Sequence, residues 1–151
     1  MPDWSVQRYW EDVSEGEQLP PLRFPITVHR LVVAAGAGKD FAPIHHNSEV
    51  ARASGAPDMY ASNVFLLGMW ERTVREYIGL AGTIKRIGPM RMKKFATAGE
   101  TVEVRAVITR KWRADDDALL ELDLRSVIST GDAVAGSMCV SLPSRAQQEG
   151  R

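Results

Sequence analysis

The feature that most constrains this chain is a switch of hydrophobic period near residue 79. Before it, Val64, Phe65, Leu66, Leu67, Met69, Trp70, Val74, Tyr77 and Ile78 recur at helical spacing, with Ser62 or Asn63 placed to cap the helix and Gly79 to stop it. The first half of this helix is apolar nearly all round, which predicts that other structure wraps it. The second half carries Glu71, Arg72, Arg75 and Glu76 on a solvated face, and Gly68 predicts a close packing contact. After residue 79 the period is two. Val102, Val104, Ala106 and Ile108 share one face of a strand over 101–112, and Leu120, Leu122 and Leu124 alternate with charged residues. A last strand places Val134, Gly136, Met138, Val140 and Leu142 on one face, with turns predicted at 114–117 and 130–132.

One long apolar helix and a run of antiparallel strands bury both only if the sheet curls around the helix. This predicts an α+β hot-dog fold, a curved antiparallel sheet wrapped around a long central helix. Upstream, 22–28 reads as an edge strand because Pro25 cannot donate to a ladder. Thr27 then caps a short helix with Val28, Leu31, Val32 and Ala35 on one side, and Ser48 caps a second short helix that ends at Gly55. Trp4, Tyr9 and Trp10 predict a short turn packed on the body or on a partner. A single helix cannot cover a whole sheet and its edges, so a homodimer or a heteromer with another hot-dog subunit is expected.

The chain has 151 residues, enough for one domain with its own core, expected over 1–143, followed by a polar, flexible tail over 144–151. Lys plus Arg and Asp plus Glu number 19 each, which removes the electrostatic basis for binding nucleic acid or an anionic membrane. Apolar stretches fall far short of the ~20 residues of a spanning helix, and the start lacks the marks of a signal peptide, so a cytoplasmic location is expected. The lone Cys139 forms no intrachain disulfide and reads as packing; no Cys/His spacing suits a metal, and no cofactor is expected.

The stretch 40–47 brings a carboxylate and imidazoles onto one short connection between helices. Asp40 and His45 are too far apart for one helical face, but a loop stiffened by Pro43 can turn both toward one point. The alternative is that Asp40 bonds its own turn and the histidines are simply exposed, and spacing alone favours that alternative. His29 reads as a surface residue and His46 as a structural or rim residue.

Asp40-Phe41-Ala42-Pro43-Ile44-His45, followed by Ala51 and Gly55, resembles the D-x-N-P-x-H motif of the MaoC-like dehydratases, the (R)-specific enoyl-CoA hydratases. Residues 15–20 are similar to that family's G-D-x-L-P opening, and 91–102 to its R-F-x-x-P-V-x-x-G-D-T-L segment. Residues 45–47 and 53–60 look closer to small actinobacterial MaoC-like subunits, some of them from steroid-degrading hydratases. The resemblance implies a hot-dog hydro-lyase of lipid metabolism that adds water across the double bond of a trans-2-enoyl-CoA thioester. Asp40 and His45 would be the catalytic acid/base pair, with no cofactor beyond the CoA thioester substrate. Ser62, with Asn63 beside it, would present a backbone N–H to the thioester oxygen, a role compatible with helix capping because the cap uses the side chain.

Three positions depart from the pattern: Ala42 replaces the Asn, Lys39 the glycine before the Asp, and Ala61-Ser62 a His-Gly at the helix entrance. They motivate a rival reading, a non-catalytic subunit that completes another hot-dog protein's site. An acyl-CoA thioesterase is the second rival. Arg91, Lys93 and Lys94 suit CoA phosphates in charge or else form a solvated face, and Met59, Met69, Met90, Met92 and Met138 suit either an acyl pocket or the core.

Overall fold

The computed structural model describes residues 5–148, so Trp4 lies outside the described residues. In chain order the elements are strand β1 (Leu22–Pro25), helices α1 (Val28–Ala37), α2 (Ser48–Ala53) and α3 (Asn63–Ile78), strands β2 (Thr83–Met92), β3 (Thr101–Ala114), β4 (Asp117–Ile128) and β5 (Gly131–Ser141), and a helical turn α4 (Arg145–Gln148). The five strands form one sheet in the order β1-β3-β4-β5-β2, antiparallel throughout. Pro25 does sit on the edge strand, paired with Thr101.

The period-two rows meet in register. Ala106 faces Leu124, Ile108 faces Leu122, and Leu122 in turn faces Met138, all on the buried side of the sheet. Against this side α3 lays Leu66, Met69, Trp70, Val74, Tyr77 and Ile78, and the two surfaces form one core. Trp70 is fully buried and donates from Nε1 to Ser126 Oγ at 2.8 Å, tying the helix to β4. Register shifts leave extra residues in β2, β3 and β5, irregularities of the kind that bend and twist strands locally. This is the predicted hot-dog arrangement. β2 holds a constraint of its own: a Cβ on Gly136 of β5 would lie 2.2 Å from the Pro89 carbonyl oxygen, so only glycine lets these strands approach.

Several local expectations are corrected. α3 is not wrapped along its first half: Val64 is 60% exposed, and a Cβ on Gly68 would have no neighbour within 4 Å, so Gly68 marks no close contact. In α1 only Leu31 and Ala35 are buried, while Val28 and Val32 face outward beside Val33. α2 is capped by Asn47, whose side chain accepts from the amides of Glu49 and Val50, and not by Ser48. Asn47 lies outside the helix with extended backbone, which leaves its side chain free to reach back.

Of the tail expected over 144–151, residues 149–151 lie outside the described residues, and its first two residues are held against the body. Ser144 is buried and shares the Glu11 carboxylate with Arg113, and Arg145 pairs with Asp12 at 2.8 Å. These contacts hold the N-terminal segment against the end of the chain, and the Ser144 hydrogen bond holds the Glu11 carboxyl below its ordinary pKa. Trp10 completes the clasp, with the Lys111 ammonium 4.0 Å and the Arg113 guanidinium 4.3 Å from its ring. The expected turn against the body is therefore present. No helix among the described residues is long and apolar enough to cross a membrane.

Candidate active site

The loop over 40–47 owes its shape to the way α1 ends. The Asp40 amide reaches back to the Ala35 carbonyl at 2.9 Å and the Lys39 amide to Gly36 at 3.2 Å, a pairing that needs residue 39 in the left-handed region. Lys39 adopts it with φ 52°, the backbone a glycine would take at lower cost. The departure at 39 therefore leaves the position of Asp40 intact. Replacing Lys39 by Gly should remove about 1–2 kcal/mol of left-handed strain and add about 0.5–1 kcal/mol of chain entropy. The expected outcome is a modest rise in the urea midpoint, with the fold unchanged.

Beyond Phe41, Pro43 opens a single helical turn through His45, and the Pro43 carbonyl accepts from both His46 and Asn47. This turn swings His45 inward, where it is buried, beside Asp40, which stays partly open. The Asp40 carboxylate Oδ2 and His45 Nε2 are 3.3 Å apart. The alternative in which these residues do not meet is thereby removed. His46 stays at the surface with Nε2 3.4 Å from the Phe41 carbonyl, and His29 is exposed, as expected for both.

The other face of the imidazole is fixed by a residue that sequence reasoning passed over. His45 Nδ1 lies 2.8 Å from the Tyr60 carbonyl oxygen. A carbonyl only accepts, so Nδ1 carries the proton, and in the neutral ring Nε2 presents its lone pair toward Asp40. Two acceptors so placed are suited to share one water, one accepting its proton while the other orients it. Tyr60 is itself held: the Ala61 amide donates to the Ala96 carbonyl and the Ala98 amide to Met59, both at 2.9 Å, so 59–61 pairs with 96–98. No sequence signal marks such a carbonyl, because its role depends on the fold and not on its side chain.

Two residues further on, Ser62 caps α3 through its hydroxyl, which accepts from the Phe65 amide at 3.3 Å. The first internal bond of the helix runs from Leu66 to the Ser62 carbonyl, so the amides at 62 and 63 precede the helical ladder at its positive end. They stand next to the segment that orients His45. Ser62 is buried and Asn63 exposed, so Ser62 is the enclosed member of the pair.

A cavity of about 640 Å³ lies under the segment following β2, with Met92, Lys93, Lys94 and Phe95 on one side and Ile128 and Thr130 on the other. Lys94 Nζ bonds the Thr130 carbonyl and Lys93 Nζ lies 3.6 Å from Asp132, whereas Arg91 is exposed on β2. Of the methionines considered for a pocket, only Met92 lines this cavity. Met69 and Met138 are core, and Met59 and Met90 pack against it. Burial raises the Cys139 thiol pKa, in keeping with a packing role. Among the described residues no group of His, Cys, Asp and Glu is placed to hold a metal.

The chain is 28% identical over 127 residues to the beta subunit of 3-oxo-4,17-pregnadiene-20-carboxyl-CoA hydratase from Mycobacterium tuberculosis, a match spanning 84% of this chain and 95% of that protein. The ChsH1-ChsH2 complex from Mycobacterium tuberculosis contains a chain that superposes with a TM-score of 0.77 at 27% identity, over 85% of this chain and 98% of that one. A MaoC-like dehydratase from Rhodospirillum rubrum superposes with a TM-score of 0.77 at 19% identity, over 91% and 98% of the two chains, a likeness of fold alone. No family model matches the chain. The resemblance to MaoC-like dehydratases, the hint of a small actinobacterial subunit and the hot-dog fold all hold.

Proposed function

We propose that this chain, a MaoC-like hot-dog protein, is a subunit of an enoyl-CoA hydratase, in which Asp40 and His45 add water reversibly across the double bond of a trans-2-enoyl-CoA thioester. The observation that carries this reading is the pair of acceptors 3.3 Å apart, with the His45 tautomer fixed from behind by Tyr60. In the forward direction one water O–H bond breaks at the pair and the water oxygen bonds the β-carbon. The negative charge passes to the thioester oxygen, and the proton is delivered to the α-carbon. The Ser62 amide at the positive end of α3 is suited to that oxygen, with Asn63 next to it. Reversal of the same steps is dehydration.

Two observations support an assembly with another hot-dog subunit. Val28, Val32, Phe41 and Val64, from α1, the 40–47 loop and α3, are between 49% and 68% exposed, and Phe41 adjoins Asp40, which leaves apolar surface for a partner to cover. The similar Mycobacterium proteins are named as a beta subunit and as a complex. The beta subunit's name also specifies a CoA thioester with a large acyl group, which favours a bulky acyl substrate here. Arg91, exposed on β2, is the freest candidate for CoA phosphate, because Lys93 and Lys94 already hold partners. A cytoplasmic location accords with this chemistry.

The test is a hydration assay on short and bulky enoyl-CoA thioesters that also follows thiol. Loss of the conjugated alkene without thiol release is expected. Release of free CoA thiol would identify a thioesterase. Absence of both activities in the folded chain purified alone, with hydration restored only by another hot-dog subunit and unaffected by Asp40→Asn, would identify the non-catalytic subunit that Ala42 and Ala61 motivate.

A further inference from the structure

The 640 Å³ cavity contains charged residues, yet its polar groups are already engaged. Glu100 accepts from the Thr97 amide at 2.8 Å, the Thr97 hydroxyl at 3.1 Å and the Ser129 hydroxyl at 3.2 Å. Lys94 donates to the Thr130 carbonyl and Lys93 lies by Asp132. What remains for a ligand is the apolar surface of Pro57, Met92, Phe95 and Ile128, with Met92 36% and Phe95 42% exposed in the described chain. A cavity of this size with satisfied polar walls and free apolar ones suits an apolar group, not a phosphate.

This cavity is linked to the catalytic histidine by aromatic rings. The His45 imidazole meets the Tyr60 ring edge-on, centroids 5.2 Å apart, and Tyr60 meets Phe95, which lines the cavity, at 4.6 Å. A substrate whose reacting carbons lie at Asp40 and His45 has its acyl tail directed along these rings if it enters the cavity.

We propose that Tyr60 and Phe95 are a specificity-determining pair, joining the catalytic histidine to the cavity and selecting thioesters whose acyl group is apolar and long enough to enter it. The proposal rests on the hydratase reading for the class of ligand. It assigns the cavity end of the path to Phe95, which a four-carbon acyl group does not reach. Tyr60 forms the end next to His45.

The test uses two saturated thioesters that bind but cannot be hydrated, butanoyl-CoA and 5-cyclohexylpentanoyl-CoA. Calorimetric titration is made on wild type, Phe95→Ala and Phe95→Leu, each in its natural assembly. Wild type is expected to prefer the ring-bearing thioester. Phe95→Ala should weaken that thioester about tenfold, the loss expected for one apolar ring contact, and leave butanoyl-CoA within about twofold. Phe95→Leu should fall between. Equal weakening of both thioesters, no change in either, or failure of wild type to bind the ring-bearing thioester would each overturn the proposal. Turnover of a short enoyl-CoA by wild type is measured separately. Its absence counts against the hydratase reading, while an unmoved binding ratio counts against the specificity pair alone.

Discussion

Asp40→Asn should lower hydration turnover by about 10²- to 10⁴-fold, the range a positioned acid/base group contributes, while leaving the fold intact. The substitution is nearly isosteric. Its amide can still face His45 Nε2, which stands 3.3 Å from the present carboxylate, so the loop keeps its internal bonds. What disappears is the carboxylate proposed to accept from the water. Asp40 is partly exposed and anchors no core residue, so the denaturation midpoint should move little, and circular dichroism alongside steady-state kinetics separates the two effects. His45→Ala should cost a comparable factor with some loss of stability, because it removes a buried ring and leaves the Tyr60 carbonyl without its donor. Full turnover in Asp40→Asn would assign the chemistry to another subunit of the proposed assembly and this chain to a supporting role.

The parts of this molecule legible in the sequence are those in which local pattern and tertiary demand agree. The alternating rows of β3, β4 and β5 each face one core, and Thr27, Ser62 and Gly79 punctuate helices by rules that need no distant partner. β2 was less legible because Gly88 and Pro89 interrupt it and its residues alternate neither in polarity nor in burial. Its position is set by β5, and by Gly136 in particular, which no window of local sequence reveals. The outward valines of α1 mislead for a related reason: an apolar stripe signals burial somewhere, and here half of it faces away from the chain's own core.

The site divides along the same line. Asp40 and His45 were legible from residue type, loop and family resemblance. Whether they meet depends on Lys39 adopting the backbone of a glycine, on Pro43 turning the chain, and on the Tyr60 carbonyl holding Nδ1. The first two leave faint sequence traces. The third leaves none, since any residue has a carbonyl, and its placement follows from the pairing of 59–61 with 96–98.

That dependence makes α3 the element through which stability and site geometry are coupled, and Trp70 is its anchor. Trp70→Ala should destabilise the protein by about 3–5 kcal/mol, a large part of the roughly 5–15 kcal/mol that a domain possesses, because the ring is fully buried between helix and sheet. Ser126→Ala tests one component. It leaves the indole N–H, now donating at 2.8 Å, buried without an acceptor, and should cost about 1–3 kcal/mol. Both losses are read from urea denaturation at unchanged m-value. The stability loss need not spare function, since α3 begins at Ser62, adjacent to the pairing that holds Tyr60 against His45. If the helix sits less firmly on β4, its first amides and the Tyr60 carbonyl lose a common support. Trp70→Ala should therefore lower turnover even at temperatures where it remains folded, whereas Lys39→Gly, which changes only how α1 ends, should not. A Trp70→Ala variant that is destabilised but fully active below its transition would show that the helix entrance is held by the 59–61 and 96–98 pairing alone.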